Sequence, residues 1–413
     1  MKKNLSFLLI FVLLISSINV SAGILSRTKL KLEERNSSLY SVLDEEFESL
    51  EDVPFMYSKV KGMSELAVNY LFSGTFETTY NMLEQATEDC GQIEDYYYQS
   101  MAYLQISQAY AEFMNIIGVR ELSKKAALKG IEVAETKVYN TYKKVRLYNE
   151  FIKILMKTRY YKEANTLLVK VLNDFDNIEN DYFKSASALE LSVIVSVLKG
   201  DDELAAQLFE TSYNKADSLN DFYLQSIIMA EIADYAKIKK MDNFFNNCID
   251  KANNSALQIE DNYYKQKAFN NLARTLLING NKDKATDIIE NICIPASFQL
   301  TDSYFQAMCF NQIAGFYYVT GEQEKAVNML EKTQIALNGI NSPYLKTDSA
   351  ERMFWIYYIL DMKTKAYEIN EKSYEWAMKI DNSNKLNALL NVAINYSHLR
   401  MFEKVNEIVE LIK

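Results

Sequence analysis

One unit of about 40 residues recurs along most of this 413-residue chain, and that period constrains the fold more than any other feature. An aromatic residue that opens a helix returns at Tyr57, Tyr97, Tyr142, Phe183, Tyr223, Tyr263, Tyr304 and Tyr344, with gaps of 40, 45, 41, 40, 40, 41 and 40 residues. A ninth unit starts at Ile380-Asp381-Asn382 without the aromatic. A fixed period between about 20 and 50 residues marks a stacked array, because one such unit is too small to bury its own apolar face. Only 11 Gly and three Pro interrupt the chain, so the units read as long helices.

The local chemistry of a unit is clearest between Ile259 and Ile289. Asp261 can cap a first helix, Leu272, Ala273 and Leu276 give that helix a buried face, and Gly280 ends it. Ala285 and Ile289 mark the packed face of a second helix. The opening phrase returns as Ile93-Glu-Asp95, Leu219-Asn-Asp221, Leu300-Thr-Asp302 and Ile340-Asn-Ser342, where Asp or Ser accepts hydrogen bonds from the unpaired amides of a helix start. Breaks fall at Gly74, Gly200, Gly280 and Gly321, with Arg159, Lys240, Asp361 and Arg400 at the equivalent places. Glycine adopts the left-handed conformation that closes a helix without penalty, so the non-glycine units are expected to turn less tightly. The 45-residue second unit carries its extra residues around Asn115 to Leu122, where a longer bend is expected.

Aligned on their breaks, the units share one apolar position: Leu66, Ile106, Phe151, Ile232, Leu272, Ile313, Met353 and Val392, with Ser192 as the exception. A small residue mostly follows it, and Ala164, Ala205, Ala285, Ala326 and Ala366 recur in the second helices. Small residues at fixed places let helices approach closely. Leu272-Ala273, Leu276, Gly280 and Ala285, with Asn311-Gln-Ile-Ala314, Tyr317, Gly321 and Ala326, resemble the tetratricopeptide repeat (TPR) family over residues 55–413. These units run about six residues longer than that family's unit of about 34. The resemblance implies an all-α fold, a right-handed α-solenoid of about nine TPR-like helix-turn-helix repeats. It also implies that first helices line a concave surface.

Residues 1–22 read as a secretory signal: Lys2 and Lys3 precede an apolar run from Leu5 to Ile15, and Val20-Ser21-Ala22 offers small residues for a cut. Residues 23–54 read as a mobile segment followed by an amphipathic capping helix over Ser38 to Leu50. The protein is therefore expected to be exported, to the periplasm or the extracellular space, with no membrane span after signal removal. Loss of Lys2 and Lys3 moves the net charge from −10 to −12, and an acidic chain without a dense basic run argues against nucleic acid as partner. Cys90, Cys248, Cys293 and Cys309 are too scattered for a disulfide framework. They read as buried thiols, although Cys293 and Cys309 can come near each other.

Catalysis finds little support. His398 is the only histidine, is expected at the surface, and has no local partner for a nucleophile–base pair. No metal-ligand spacing and no glycine-rich phosphate loop is present, so no metal, cofactor or catalytic residue is expected. The informative position lies two residues after the apolar one: Val68, Gln108, Lys153, Ile194, Asp234, Arg274, Gly315, Trp355 and Ile394 change chemistry from unit to unit. The TPR resemblance places it on the concave face. Lys267, Asn271 and Arg274 share one helix and are similar to a carboxylate clamp, while Trp355 and Tyr358, beside Phe354, form an aromatic candidate. The expected function is a non-catalytic scaffold that binds a peptide or helix of a protein partner. The alternative is a structural protein that self-associates through its C-terminal helix, where Phe402, Val405, Ile408, Val409, Leu411 and Ile412 form an apolar stripe.

Overall fold

A computed structural model describes residues 54–114, 118–381 and 384–412. The expected signal peptide, the segment after it and the capping helix over Ser38 to Leu50 lie outside the described residues, as does Asn115. Contacts divide the described residues into two compact bodies, one ending at Lys215 and the other starting at Ala216.

The described residues hold eighteen helices in nine adjacent pairs and no strand. The first body contains α1 (Phe55–Phe72), α2 (Phe76–Asp89), α3 (Tyr96–Glu112), α4 (Val119–Lys137), α5 (Thr141–Lys157), α6 (Tyr161–Phe175), α7 (Asp181–Leu198) and α8 (Asp202–Asp217). The second contains α9 (Phe222–Ile238), α10 (Asp242–Gln258), α11 (Asn262–Ile278) and α12, which runs as Lys282–Ile288, a π-helical turn Ile289–Cys293, and Ile294–Gln299. It continues with α13 (Ser303–Thr320), α14 (Gln323–Gly339), α15 (Pro343–Ile359), α16 (Lys363–Ala377), α17 (Asn384–His398) and α18 (Phe402–Ile412). Odd-numbered helices are the first helices of each repeat, and within each body each packs on its own second helix and on the next first helix. This is a helical-repeat, α-solenoid type of architecture.

Polar caps set the starts of the first helices. Asp95 Oδ1 accepts from the amides of Tyr97 and Tyr98 at 2.8 and 3.1 Å, and Asp261 and Asp302 repeat the geometry. Asp221 and Ser342 cap as expected, and Asn140 and Asn180 do the same work in the third and fourth repeats. Most residues two before the cap, including Ile93, Ile178 and Ile340, are buried and fix the angle at which the chain enters the helix.

The breaks overturn one expectation. Arg159, Lys240, Asp361 and Arg400 have φ of 64°, 61°, 58° and 60°, the same left-handed conformation as Gly280 at 85° and Gly321 at 82°. The bonds match too. Gly280 N donates to Leu277 O and Asn281 N to Leu276 O, while Arg159 N donates to Met156 O and Tyr160 N to Leu155 O. This paired closure satisfies the last carbonyls of a helix whatever residue occupies the left-handed position. The non-glycine repeats therefore turn as tightly as the others and carry local strain. The longer bend expected around Asn115 to Leu122 falls partly outside the described residues, and Val119 to Leu122 belong to α4.

Caps also correct the register of the fourth repeat. Helix α7 has 18 residues where its neighbours α5 and α9 have 17, so counting back from Gly200 stops one residue short. Counted from Asn180, the first-turn aromatic is Tyr182 rather than Phe183, and the apolar position is Leu191, fully buried, rather than Ser192. The varying position becomes Val193 instead of Ile194. Phe183 has its own place, as the second ring of a pair that recurs as Tyr97-Tyr98, Tyr182-Phe183, Tyr263-Tyr264 and Tyr304-Phe305. Each second ring packs on the preceding repeat: Tyr98 on Tyr57 at 5.1 Å, Phe183 on Tyr142 at 4.0 Å, Tyr264 on Tyr223 at 5.0 Å and Phe305 on Tyr263 at 4.4 Å. The abundant tyrosines thus join repeat to repeat.

Within repeats, a serine of the first helix is tied to a carbonyl of the second. Ser100 Oγ donates to Gly130 O at 2.8 Å, Ser185 to Ser212 O at 2.7 Å and Ser226 to Ala252 O at 2.9 Å. Gly130 makes room for the next repeat as well, since a Cβ there would lie 2.3 Å from Phe151 Cζ and 3.0 Å from Tyr103 Cβ of its own repeat. The small-residue position of the second helices is confirmed as core, with Ala164, Ala285, Ala326 and Ala366 fully buried. Gln266 replaces the serine in the sixth repeat, and opposite it helix α12 makes its π turn. The larger side chain needs more room, and Pro295 cannot donate to the carbonyl of Asn291. Both favour the extra residue in that turn.

Candidate functional site

Alignment on the caps brings out a row that alignment on the breaks obscures. The residue immediately before the apolar position is polar in all nine repeats: Glu65, Gln105, Glu150, Glu190, Glu231, Asn271, Gln312, Arg352 and Asn391. Gln105, Glu231 and Asn271 are more than nine-tenths buried. A buried polar side chain must be hydrogen-bonded or it destabilises the fold, and several members of this row are bonded to a neighbouring first helix. Asn149 Nδ2 donates to Glu190 Oε2 at 2.7 Å, and Asn391 Nδ2 to Glu351 Oε2 at 2.7 Å.

In the first body the row forms an ionic node between α5 and α7. Lys153 Nζ lies 2.7 Å from Glu150 Oε1 and in direct contact with Glu190 Oε1. Arg146, one turn earlier on α5, donates to Tyr97 Oη at 3.1 Å. Burial lowers Lys153, with Glu150 opposing, and raises Glu190 well above the usual carboxylate range. It also brings Arg146 down to about 10, against the pull of Glu150. Two cations face two carboxylates.

The second body places a different node between α9 and α11, around residues singled out from the sequence. Arg274 Nη2 lies 3.2 Å from Glu231 Oε1 and 3.6 Å from Asp234 Oδ2, and Arg274 also donates to Asn271 Oδ1 through Nε at 3.2 Å and Nη2 at 3.1 Å. Asn279 Nδ2 donates to Asp234 Oδ1 at 2.6 Å. Burial is the main influence on both carboxylates: it lifts Glu231 to about 8 and raises Asp234, while Arg274 holds both back. The structure thus brings Asn271 and Arg274 together, on two carboxylates supplied by the protein itself. Asn271 Nδ2 and Arg274 Nη1 have no hydrogen-bond partner among the described residues. Lys267 stands apart from this node, its Nζ 5.8 and 5.9 Å from the ring centroids of Tyr223 and Tyr263.

Trp355 and Tyr358 meet at the step from α15 to α17. Trp355 is only 9% exposed and packs edge-on against His398 at 4.6 Å, while Tyr358 Oη donates to the His398 carbonyl at 3.3 Å. Phe354 stacks on Tyr358 at 5.8 Å. His398 is therefore half-buried against Trp355 rather than an ordinary surface residue, because the eighth repeat presents an aromatic side chain at the varying position. That position is buried in most repeats, at Val68, Gln108, Lys153 and Trp355 among others.

All four cysteines are free and buried. Asp201, in an acidic cluster of the sequence, caps α8 by accepting from Leu204 N at 3.0 Å. No described helix is long and apolar enough to cross a membrane.

Fold and site together define a helical-repeat protein whose first helices are joined by buried polar and aromatic contacts. No family model and no curated protein matches the chain. Among solved structures it is similar to the crystal structure of Ton1535 from Thermococcus onnurineus NA1, at 13% identity, with 85% of this chain and 95% of that chain covered and a TM-score of 0.33.

Proposed function

We propose that the protein is an exported, non-catalytic, TPR-like scaffold that binds a polypeptide segment of another protein along its first helices. The observation that carries this reading is the rim at the starts of α11 and α13. There Tyr264 and Phe305 are 44% and 38% exposed, next to the Lys267 ammonium over the Tyr223 and Tyr263 rings. Large rigid rings beside a cation are the groups that dominate binding hot spots. Such a rim suits a segment that alternates acidic and apolar side chains, the acids meeting Lys267 and the apolar groups meeting the rings. Behind it Arg274 is engaged with Glu231 and Asn271, which stiffens the helices that carry the rim, and Trp355 with Tyr358 form an aromatic cluster two repeats on.

The test uses the full chain as bait, comparing wild type with Lys267→Glu, Tyr264→Ala, Trp355→Ala and Tyr358→Ala, each checked for an unchanged helical melt. The rim variants are expected to reduce recovery of a shared partner by about tenfold. Equal recovery with all four folded variants would remove the proposed face.

A second reading, self-association through α18, is favoured by Leu411, which is 57% exposed beside half-buried Val409 and Ile412. Light scattering distinguishes the two: Leu411→Glu would convert an oligomer to monomer, and a wild type that is already monomeric at high concentration excludes this reading.

A further inference from the structure

Cys293 and Cys309 occupy matching places on two consecutive antiparallel helices. Each lies eight residues from Thr301, in the connection between α12 and α13, so they stand at the same height across the pair. Both sulfurs rest on one residue of a third helix: Cys293 Sγ is 3.8 Å from Gln266 O, and Cys309 Sγ is 3.1 Å from Gln266 Oε1. Ser297 joins them from the other side, its Oγ donating to the Cys293 carbonyl at 2.7 Å and its hydroxyl interacting with the Cys309 thiol. The π turn ends on Cys293, at the place where the serine tie of other repeats gives way to Gln266. Gln266 is fully buried, and its Nε2 has no hydrogen-bond partner among the described residues. Amide and thiols therefore lie together in the buried interior, where an unsatisfied polar group is costly.

We propose that Cys293 and Cys309 are a disulfide-forming site, a covalent clasp between the sixth and seventh repeats. Closure joins the two Sγ atoms and removes two hydrogens. A low-molecular-weight disulfide such as oxidised glutathione takes up the two electrons and two protons and leaves as two thiols. Burial raises both thiols, Cys309 to about 12, so thiolate is scarce and closure is slow. The same burial protects the bond once made. Cys90 and Cys248 lie on α2's 3-10 extension and on α10, with no second sulfur in contact, and serve as internal controls.

The native full chain would be incubated with oxidised glutathione at mildly alkaline pH over hours, then denatured with maleimide present and weighed intact. The expected product has lost two hydrogens, carries two maleimides instead of four, and yields one cross-linked peptide pair containing Cys293 and Cys309. Its melting temperature rises by roughly 5–10 °C and falls back with dithiothreitol. Cys309→Ser and, separately, Cys293→Ala lose the mass change and the shift together, so a folding defect in one variant leaves the other decisive. Four maleimides after prolonged oxidation, glutathione adducts without a cross-link, or a cross-link to Cys90 or Cys248 would each overturn the proposal.

Discussion

The nodes of the two bodies occupy the same step between neighbouring first helices, yet they hold charge differently. Around Lys153 in the first body, two cations meet Glu150 and Glu190. Around Arg274 in the second, one cation meets Glu231 and Asp234. In the first node burial raises Glu190 well above the usual carboxylate range and lowers Lys153. The second carries one carboxylate more than it has cations, and Glu231 is lifted to about 8 mainly by burial, with Arg274 opposing and Asp234 adding to the rise. Burial raises a carboxylate in both nodes, and the two differ in how many cations stand against that rise.

The largest effect expected from this contrast follows removal of the lone cation. Arg274→Leu would leave Glu231 and Asp234 facing each other without compensation, at a cost of about 3–5 kcal/mol near pH 9, read from urea unfolding followed by circular dichroism. Near pH 5 the loss should shrink, because protonated carboxyls need no cation. A cost that is the same at both pH values would mean that packing of the guanidinium, not its charge, is what matters.

Next comes the proton itself. Glu231 has a folded-state pKa of about 8, above the ordinary value of about 4.3 expected in the unfolded chain. The folded state therefore retains a proton that the unfolded state has released. Stability from this group is fully present below about pH 4.3 and is lost as pH rises through about 8. Wild type should lose on the order of 2 kcal/mol between pH 6 and pH 8, and Glu231→Gln should flatten that slope. Glu190→Gln in the first body should instead destabilise at pH 7, since it strips Lys153 of one of its two carboxylates. Parallel slopes in wild type and Glu231→Gln would show that the proton resides elsewhere.

Local features of the fold were legible in the sequence, because a cap or a break is written within three or four residues. Asp95, Asp261 and Gly280 needed no knowledge of distant contacts. Asn140 and Asn180 carry the same information and are recognised once the caps are counted. The slip at Phe183 and Ser192 came from one extra residue in α7, which a count from Gly200 could not see. The nodes were not legible, because their partners lie 41 residues apart for Asn149 and Glu190, 43 for Arg274 and Glu231, and 45 for Lys157 and Glu112. A repeat period of about 40 says that neighbouring first helices touch. It does not say which long side chain reaches up, down or across, so Arg274 looked available when carboxylates already surround it.

The smallest expected effects test the breaks, where the bodies agree instead of differing. Arg159 in the first body and Lys240 in the second hold φ near 60°, a conformation that costs a side-chain-bearing residue about 1 kcal/mol or more. Glycine would relieve it, less a few tenths for added freedom in the unfolded chain. Arg159→Gly and Lys240→Gly should each stabilise by about 0.5–1 kcal/mol, and the two should add because they lie in separate bodies. Gly280→Ala should lose a similar amount through φ alone, since a Cβ there meets nothing within 4 Å. Thermal melts of the three variants and the double variant would suffice. If Arg159→Gly destabilises, the arginine side chain contributes more than its backbone strain costs, and the break in the third repeat is held by contacts that glycine breaks do not need.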